Sequence, residues 1–406
     1  NDFRPVIDLS TIPFVYDHIE DFENRIIYYE SSRGCPFSCS YCLSSIDKCL
    51  RFREIELVKK ELQFFIDKKV PQVKFVDRTF NCRHDHAMAI WTYIHEHDNG
   101  ITNFHFEVSA DLLNEKEITL INQLEIGVQS ANEITIREIN RTMKIDVLST
   151  IVDKIKKGNN VHQHLDLIAG LPYEGYESFG KSFDRVYKMN PEQLQLGFLK
   201  VLKGSVMHDR AQEYGIVYQD RAPYEVLSTK WLTYAEVIRL KQIEEMVEVY
   251  YNSGQFCCTM SALEQEFASP FCMYECLAAY YDEKNAFAVS HSRIGRYEIL
   301  YDFIVETCKE RSEQYMEMLT LDMYLRDNVK KRPEFLRESG VSSDEAAAFY
   351  KKEEKERTYL KAYEGYDRRQ MRKMTHLERI DGKTVLFDYK NRDPLTGNAA
   401  IYYLSE

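Results

Sequence analysis

Arg33-Gly34-Cys35-Pro36-Phe37-Ser38-Cys39-Ser40-Tyr41-Cys42 sets three cysteines at C-x3-C-x2-C spacing on one short segment, with an aromatic residue before the last. Three thiolates held this close can ligate three irons of a cubane and leave the fourth iron open. The competing reading is a set of structural cysteines or a zinc site. Zinc sites show paired C-x2-C knuckles or added histidines, and no second knuckle follows nearby. The segment directly follows an apolar run, Ile26–Glu30, so it occupies the loop after a first strand. In barrels built from strand–helix units, sites form at that end of the strands.

Working outward, short apolar runs alternate with amphipathic stretches over residues 25–205. The further strand candidates are Gln72–Asp77, Phe104–Ser109, Leu124–Gln129, His162–Ile168 and Gln193–Leu199. Ile55, Val58, Leu62 and Phe65 recur at helical spacing. Helices are also expected near Asp85–Glu96, Glu133–Asn140, Asp146–Lys157 and Tyr176–Met189. Such alternation implies parallel strands joined by right-handed crossovers. Six units predict an α/β fold, an open, partial (β/α)6 barrel, with a doubly wound sheet as the alternative. The connection before Leu124 is shorter than usual, which suggests missing residues near 123–124. Beyond residue 216 charged helical patterns dominate: Thr233–Val249, Ser312–Asp327 and Ser343–Tyr363. A few strand-like pieces, including Thr384–Tyr389 and Ala399–Leu404, close the chain. The expected organisation is a linker over 1–24, a barrel over 25–215 and a mainly α-helical C-terminal domain over 216–406.

The composition narrows the function. With 53 basic and 65 acidic residues the net charge is −12, which weighs against a large nucleic-acid surface. No run approaches ~20 uninterrupted apolar residues, so no membrane helix is expected. No charged-then-apolar leader opens the chain, and the grouping among its ten cysteines, three of them in one motif, points to metal binding in a reducing, cytoplasmic setting. The chain opens on Asn, and its first residues read as a linker, so an upstream segment is expected.

The cysteine motif resembles that of the radical S-adenosylmethionine (SAM) superfamily, and the likeness continues across the barrel. Val76-Asp77-Arg78-Thr79-Phe80 ends the second strand candidate; Phe104-His105-Phe106-Glu107-Val108-Ser109 is similar to the third strand. Glu125-Ile126-Gly127-Val128-Gln129-Ser130 resembles a G-x-Q-S fourth strand, followed by Asn140-Arg141 as in the coproporphyrinogen-dehydrogenase-like branch. Asp166-Leu167-Ile168-Ala169-Gly170-Leu171-Pro172 resembles a fifth-strand D-x-I-x-G-L-P. The resemblance implies a [4Fe-4S] cluster on Cys35, Cys39 and Cys42 that cleaves SAM to a 5′-deoxyadenosyl radical. It implies SAM contacts from Tyr41, Asp77, Glu107, Ser109, Gln129, Arg141, Asp166 and Gly170, and an electron donor such as flavodoxin or ferredoxin. Arg141 suits the SAM carboxylate because guanidinium pairs carboxylates bidentately. Gln129 can donate to the same group, Glu107 and Asp166 can accept from the amino group or ribose, and Gly170 allows close backbone approach to adenine.

The stretch Arg4-Pro5-Val6-Ile7-Asp8-Leu9-Ser10-Thr11-Ile12-Pro13-Phe14 resembles the linker of cobalamin-binding radical SAM proteins, and the region after the barrel resembles an uncharacterised C-terminal domain found in some of them. No D-x-H-x-x-G cobalamin motif is present, so cobalamin would be held largely by a domain outside this chain. The functional expectation is cobalamin-assisted methylation or related carbon-centred chemistry on a small molecule or peptide. The alternative is an RNA-modifying, methylthiolating enzyme without cobalamin; a weaker one is a protein using its cluster only structurally. Other residues carry blander readings. Cys82 with His84 and His86 lacks a full ligand set and reads as loop packing. Cys257, Cys258, Cys272 and Cys276 read as buried thiols, His291 as a hydrogen-bonded core or cap residue, and Lys203-Gly204-Ser205 as a turn or a substrate contact.

Overall fold

A computed structural model describes residues 6–404 apart from 24, 121–122, 159–161, 330 and 394–395. The chain forms two compact units, Asn1–Glu244 and Glu245–Glu406. The first opens with β1 (Ile27–Tyr29) and a two-residue antiparallel pair, β2 (Ser32–Arg33) with β3 (Arg51–Phe52). Five strands follow: β4 (Gln72–Phe75), β5 (Asn103–Val108), β6 (Gln123–Gln129), β7 (His162–Ala169) and β8 (Gln193–Phe198). They form one parallel sheet with β1, in the order β1-β4-β5-β6-β7-β8. Each barrel strand lies beside its predecessor in the set. A doubly wound sheet would reverse direction partway, so the partial barrel holds and the alternative falls. The place near 123–124 where missing chain was expected includes residues 121–122, which lie outside the described residues, as do residues 1–5 and 24 of the linker.

Side-chain alternation explains why these segments become strands with two unlike faces. Along β7, Gln163, Leu165, Leu167 and Ala169 are buried while His162, His164, Asp166 and Ile168 are only half-buried. The first set faces the helices and the second the concave side. The helices are α1 (Ile55–Asp67), α2 (His84–His97), the short α3 (Glu115–Ile118) and α4 (Glu133–Glu138), α5 (Ile145–Gly158) and α6 (Tyr176–Tyr187). Helix α1 buries Val58, Leu62 and Phe65, the apolar stripe visible in the sequence; α5 buries Leu148, Ile151, Val152 and Ile155. Phe75 of β4 and Phe106 of β5 meet Phe80 with centroids 5.2 and 4.5 Å from its ring, and Trp91 of α2 lies 5.1 Å away. This aromatic knot locks the second and third sheet strands against their helix.

Past β8, α7 (Val206–Asp209) and a small hairpin, β9 (Val217–Tyr218) with β10 (Val226–Ser228), stay with the first unit. Val226, Leu199, Leu171 and Met207 share one buried cluster, which keeps this stretch on the barrel beyond residue 216, where the sequence texture changes. Helix α8 (Tyr234–Val247) runs into the second unit, which holds α9 (Cys257–Leu263), α10 (Pro270–Glu283), α11 (Arg293–Thr307), α12 (Ser312–Arg326), α13 (Ser343–Glu356) and α14 (Arg368–Met374). Its mainly helical character is as expected, with two differences. Helix α13 stops at Glu356 rather than reaching Tyr363, because Arg357 turns left-handed (φ 51°) and the Glu353 carboxylate accepts the backbone N–H groups of Tyr359 and Leu360. Two of the strand-like pieces, β12 (Lys383–Arg392) and β13 (Ala399–Tyr403), join β11 (Thr375–Ile380) in an antiparallel sheet. No helix among the described residues is long and apolar enough to cross a membrane.

Phe80 is fully buried inside the aromatic knot. Phe80→Ala should therefore cost about 3–5 kcal/mol of unfolding free energy. A urea midpoint equal to that of the parent chain would show that the knot does not hold the sheet.

Candidate active site

The cysteine loop is closed at its base before any metal is considered. Ser32 and Arg33 pair with Phe52 and Arg51. Gly34 has φ +97°, and a Cβ there would lie 2.6 Å from the Cys49 carbonyl oxygen, so only glycine fits the crossing. The Cys35 N–H donates to the Asp47 carbonyl at 3.3 Å. On the far side, the Ser40 N–H donates to the Ile139 carbonyl, and the Met207 N–H donates to the Ser40 carbonyl. These bonds tie the loop to both ends of the concave face. Cys35 and Cys39 are buried and Cys42 is half-buried. Burial pushes the Cys39 thiol up.

All three thiols line one cavity of about 190 Å³. No other cysteine lines it: Cys49 is exposed, and Cys82 is half-buried with its thiol pushed up to about 11 by burial. The donor set is therefore three sulfurs and no fourth, which fits a cubane with one open iron.

The rest of the cavity wall comes from strand ends. Gln129 closes β6 with φ 67°, and its Oε1 is buried without a hydrogen-bond partner. Gly127, two residues earlier, makes room for it: a Cβ there would meet Gln129 Nε2 at 2.4 Å. Arg141 donates to the Gly127 carbonyl and to the Tyr41 hydroxyl at 3.3 Å, while its Nε is buried and unpartnered. Asp166 Oδ1 is likewise buried without a hydrogen bond, and it faces His164 Nε2 at 3.5 Å. Burial, with Glu125 and Glu107 nearby, pushes the Asp166 carboxyl well above the usual range. Burial and Glu125 also push Glu107 up. Buried polar atoms without hydrogen bonds are rare in finished structures, so these three mark where a polar ligand would dock. They offer two acceptors and a guanidinium donor, which suits an amino acid zwitterion and ribose hydroxyls. Ser109 also lines the cavity.

A second cavity of about 610 Å³ shares Tyr41, Cys42, Arg78, Glu125, Gln129 and Asp166 with the first. It adds Ile168, Phe198 and Leu202 as apolar wall and Lys200 and Lys241 as cations. The space beside the thiols thus opens into room for a larger molecule.

Two of the expected contacts lie elsewhere. Asp77 is fully buried behind the loop and does not line either cavity; donors from Ser31 and Ser32 occupy its carboxylate. Gly170 (φ +89°) serves a close approach to Val226, whose Cγ1 would lie 2.8 Å from an added Cβ, and it too is outside both linings. Glu125 and Arg78 line both cavities and were missed in the sequence. Alternation gives the signal for Glu125, since it lies two and four residues before Gly127 and Gln129 on one strand. Ligand atoms of Glu125, His164 and Asp166 lie within 4.8 Å of one another.

The reading of four buried thiols does not hold, because Cys257 is exposed and Cys258, Cys272 and Cys276 are half-buried at helix surfaces; the other bland readings fit the geometry. His84 faces Glu117 at 2.7 Å and His86 faces Ser31 at 3.2 Å, so neither joins Cys82 in a ligand set. His291 meets the Ala286 carbonyl at 2.7 Å. Ser205 caps α7 by accepting the His208 N–H, and Gly204 (φ +92°) makes the turn before it.

Residues 29–186 match the family described as the radical SAM superfamily, and residues 212–394 match a family described as a protein of unknown function (DUF4080). The chain is similar to the oxygen-independent coproporphyrinogen III oxidase of Escherichia coli (strain K12), 29% identical over 90 residues, 22% of this chain and 20% of that protein. The enzyme of the same name from Salmonella typhimurium (strain LT2) is 29% identical over 107 residues, 23% of each. The chain thus spans about a fifth of the length of the curated relatives it matches. Among solved structures, the radical SAM methyltransferase TsrM of Kitasatospora setae, with cobalamin and a [4Fe-4S] cluster bound, is 15% identical over 52% of this chain and 41% of that chain (TM-score 0.44). The cobalamin-dependent radical enzyme OxsB is 13% identical over 73% of this chain and 53% of that chain (TM-score 0.44).

Glu125 generates a pH prediction. Hydrogen bonds from His105 (2.9 Å) and Lys74 (2.9 Å) hold its carboxyl down to about 2, from an ordinary 4.5. A carboxyl lowered by folding stabilises the fold above its unfolded pKa. That contribution should fade as pH falls from 4.5 towards about 2. Glu107 and Asp166, pushed up, act with the opposite sign, so the test compares the parent chain with Glu125→Gln. The variant should show a shallower acid loss of the urea midpoint; parallel profiles would contradict the assignment.

Proposed function

On the premise that residues 29–186 make this chain a radical SAM enzyme, we propose that Cys35, Cys39 and Cys42 hold a [4Fe-4S] cluster and that Arg141, Gln129, Glu107 and Asp166 hold SAM beside it. The observation that carries this reading is the meeting on one cavity wall of three cysteines and three buried polar atoms that make no hydrogen bond. When bound, the cluster would supply the electron that breaks the S–C5′ bond of SAM, giving methionine and a 5′-deoxyadenosyl radical. The chain's own residues bind and orient. Arg141 pairs the carboxylate of the methionine part, and Gln129 can donate to the same group from its amide Nε2. Glu107 and Asp166 accept from the amino group or the ribose hydroxyls. Tyr41, half-buried and bonded to Arg141, packs beside the loop and would help keep water from the reacting end.

The radical then serves carbon-centred chemistry, with cobalamin-assisted methylation of a small molecule or peptide as the favoured form. Supporting this is the linker-like stretch before the barrel, which is docked onto it. Leu9 is buried, Arg53 donates to the carbonyls of Leu9 and Ile12, and the Glu54 N–H donates to the Ser10 hydroxyl. A domain carried ahead of that stretch would begin beside the loop base, because Arg53 directly follows β3. A reducing cytoplasm with a flavodoxin- or ferredoxin-like donor would provide the electron.

Two outcomes test this. After anaerobic reconstitution the chain should hold about four irons, and joint replacement of Cys35, Cys39 and Cys42 by Ala should remove the iron and the formation of 5′-deoxyadenosine. Full iron in the triple variant would refute the cluster assignment. Arg141→Ala should keep its iron but bind SAM roughly 10- to 100-fold more weakly, as expected for loss of a charged hydrogen-bond partner. Equal SAM affinity by equilibrium titration would remove Arg141 from the site.

A further inference from the structure

Beyond β4, three alternate residues reach three different parts of the site. Asp77 accepts the Ser31 N–H (3.0 Å), the Ser31 hydroxyl (2.7 Å) and the Ser32 hydroxyl (2.5 Å), so it grips the chain just before the cysteine loop. Asn81, also fully buried, donates from Nδ2 to the Ser109 carbonyl and accepts the Ser109 N–H at Oδ1, each at 2.9 Å. It thereby grips the end of β5. Between them, Thr79 faces the cavity with its Oγ1 3.7 Å from Cys35 Sγ and 2.8 Å from the Arg78 carbonyl.

The Thr79 hydroxyl has one proton to give. While Cys35 is a thiol, the sulfur can donate to Oγ1 and the hydroxyl can donate to the Arg78 carbonyl. A Cys35 thiolate bound to iron has no proton left, so the contact persists only if Thr79 turns its O–H towards the sulfur. Such a bond stabilises the reduced cluster more than the oxidised one, because the reduced form carries more negative charge on its sulfurs. Thr79 cannot simply move away: both neighbours in the alternation are held by buried hydrogen bonds, and Phe80 is fixed in the aromatic knot.

The geometry points to Thr79 as a positioning residue that donates to the Cys35 sulfur and raises the potential at which the cluster takes its electron, with Asp77 and Asn81 as its two anchors. This rests on the proposed cluster at Cys35. It also gives Asp77 a role in holding the loop rather than SAM.

The test uses the full chain, reconstituted anaerobically, with iron analysis and a redox titration followed by electron paramagnetic resonance. Thr79→Val removes the O–H and keeps the branched shape; Thr79→Ser keeps the O–H. Thr79→Val should hold the parent's iron but show a more negative midpoint potential, and Thr79→Ser should match the parent. Full iron and an unshifted midpoint in Thr79→Val would overturn the inference. Should Thr79→Val lose its iron, Thr79→Ser decides: recovery of both iron and midpoint upholds the role of the hydroxyl, and failure to recover them overturns it. A parent chain that takes up no iron would instead strike the cluster assignment itself.

Discussion

Glu125 lies in register with Glu107 on one side and His164 on the other, and Asp166 stands one row above, opposite Gly127. Three carboxyl groups on the concave face of one sheet repel each other at close range and in reduced dielectric. Lys74 and His105 resolve the conflict by bonding the central one, Glu125. Charge then concentrates where it is balanced, and the outer two, Glu107 and Asp166, sit with raised pKa values. A cavity wall that can take a positively charged amino group follows from that division. Were Lys74 or His105 absent, the central carboxylate would compete for any cationic ligand, and the wall would lose its direction.

Most of the architecture was legible because alternation carries it. The pattern of β7, with His162, His164, Asp166 and Ile168 on one face, states both the strand and its polar side. The helices α1 and α5 announce themselves through apolar residues on one face. The three thiols were legible from spacing alone. Asp77 was legible only as a carboxylate at a strand end. Its direction is set by Ser31 and Ser32, more than forty residues earlier, and no local pattern encodes a hydrogen bond across that distance. Strand β11 was hidden for a related reason: it begins at Thr375 directly after α14 ends at Met374, with no intervening residue to signal a change. The premature end of α13 depends on Glu353 folding back onto Tyr359 and Leu360, again a tertiary choice.

The same contrast explains why the cysteines divide as they do. Those of the C-x3-C-x2-C motif face one cavity because the loop is tied at both ends. Cys82 lies on the neighbouring segment but does not line that cavity, which Cys35, Cys39 and Cys42 share. Sequence proximity to histidines at 84 and 86 conveys nothing once each imidazole has another partner.

Gly34 has a consequence for assembly. The β2–β3 pair and its crossing over the Cys49 carbonyl close the loop with backbone interactions alone. The entropy of bringing those ends together is spent when the chain folds, not when metal arrives. Iron–sulfur species delivered to the protein would meet a ready-made rim with three sulfurs already facing inward. Incorporation of such a species would then carry no entropic cost for closing the base of the loop.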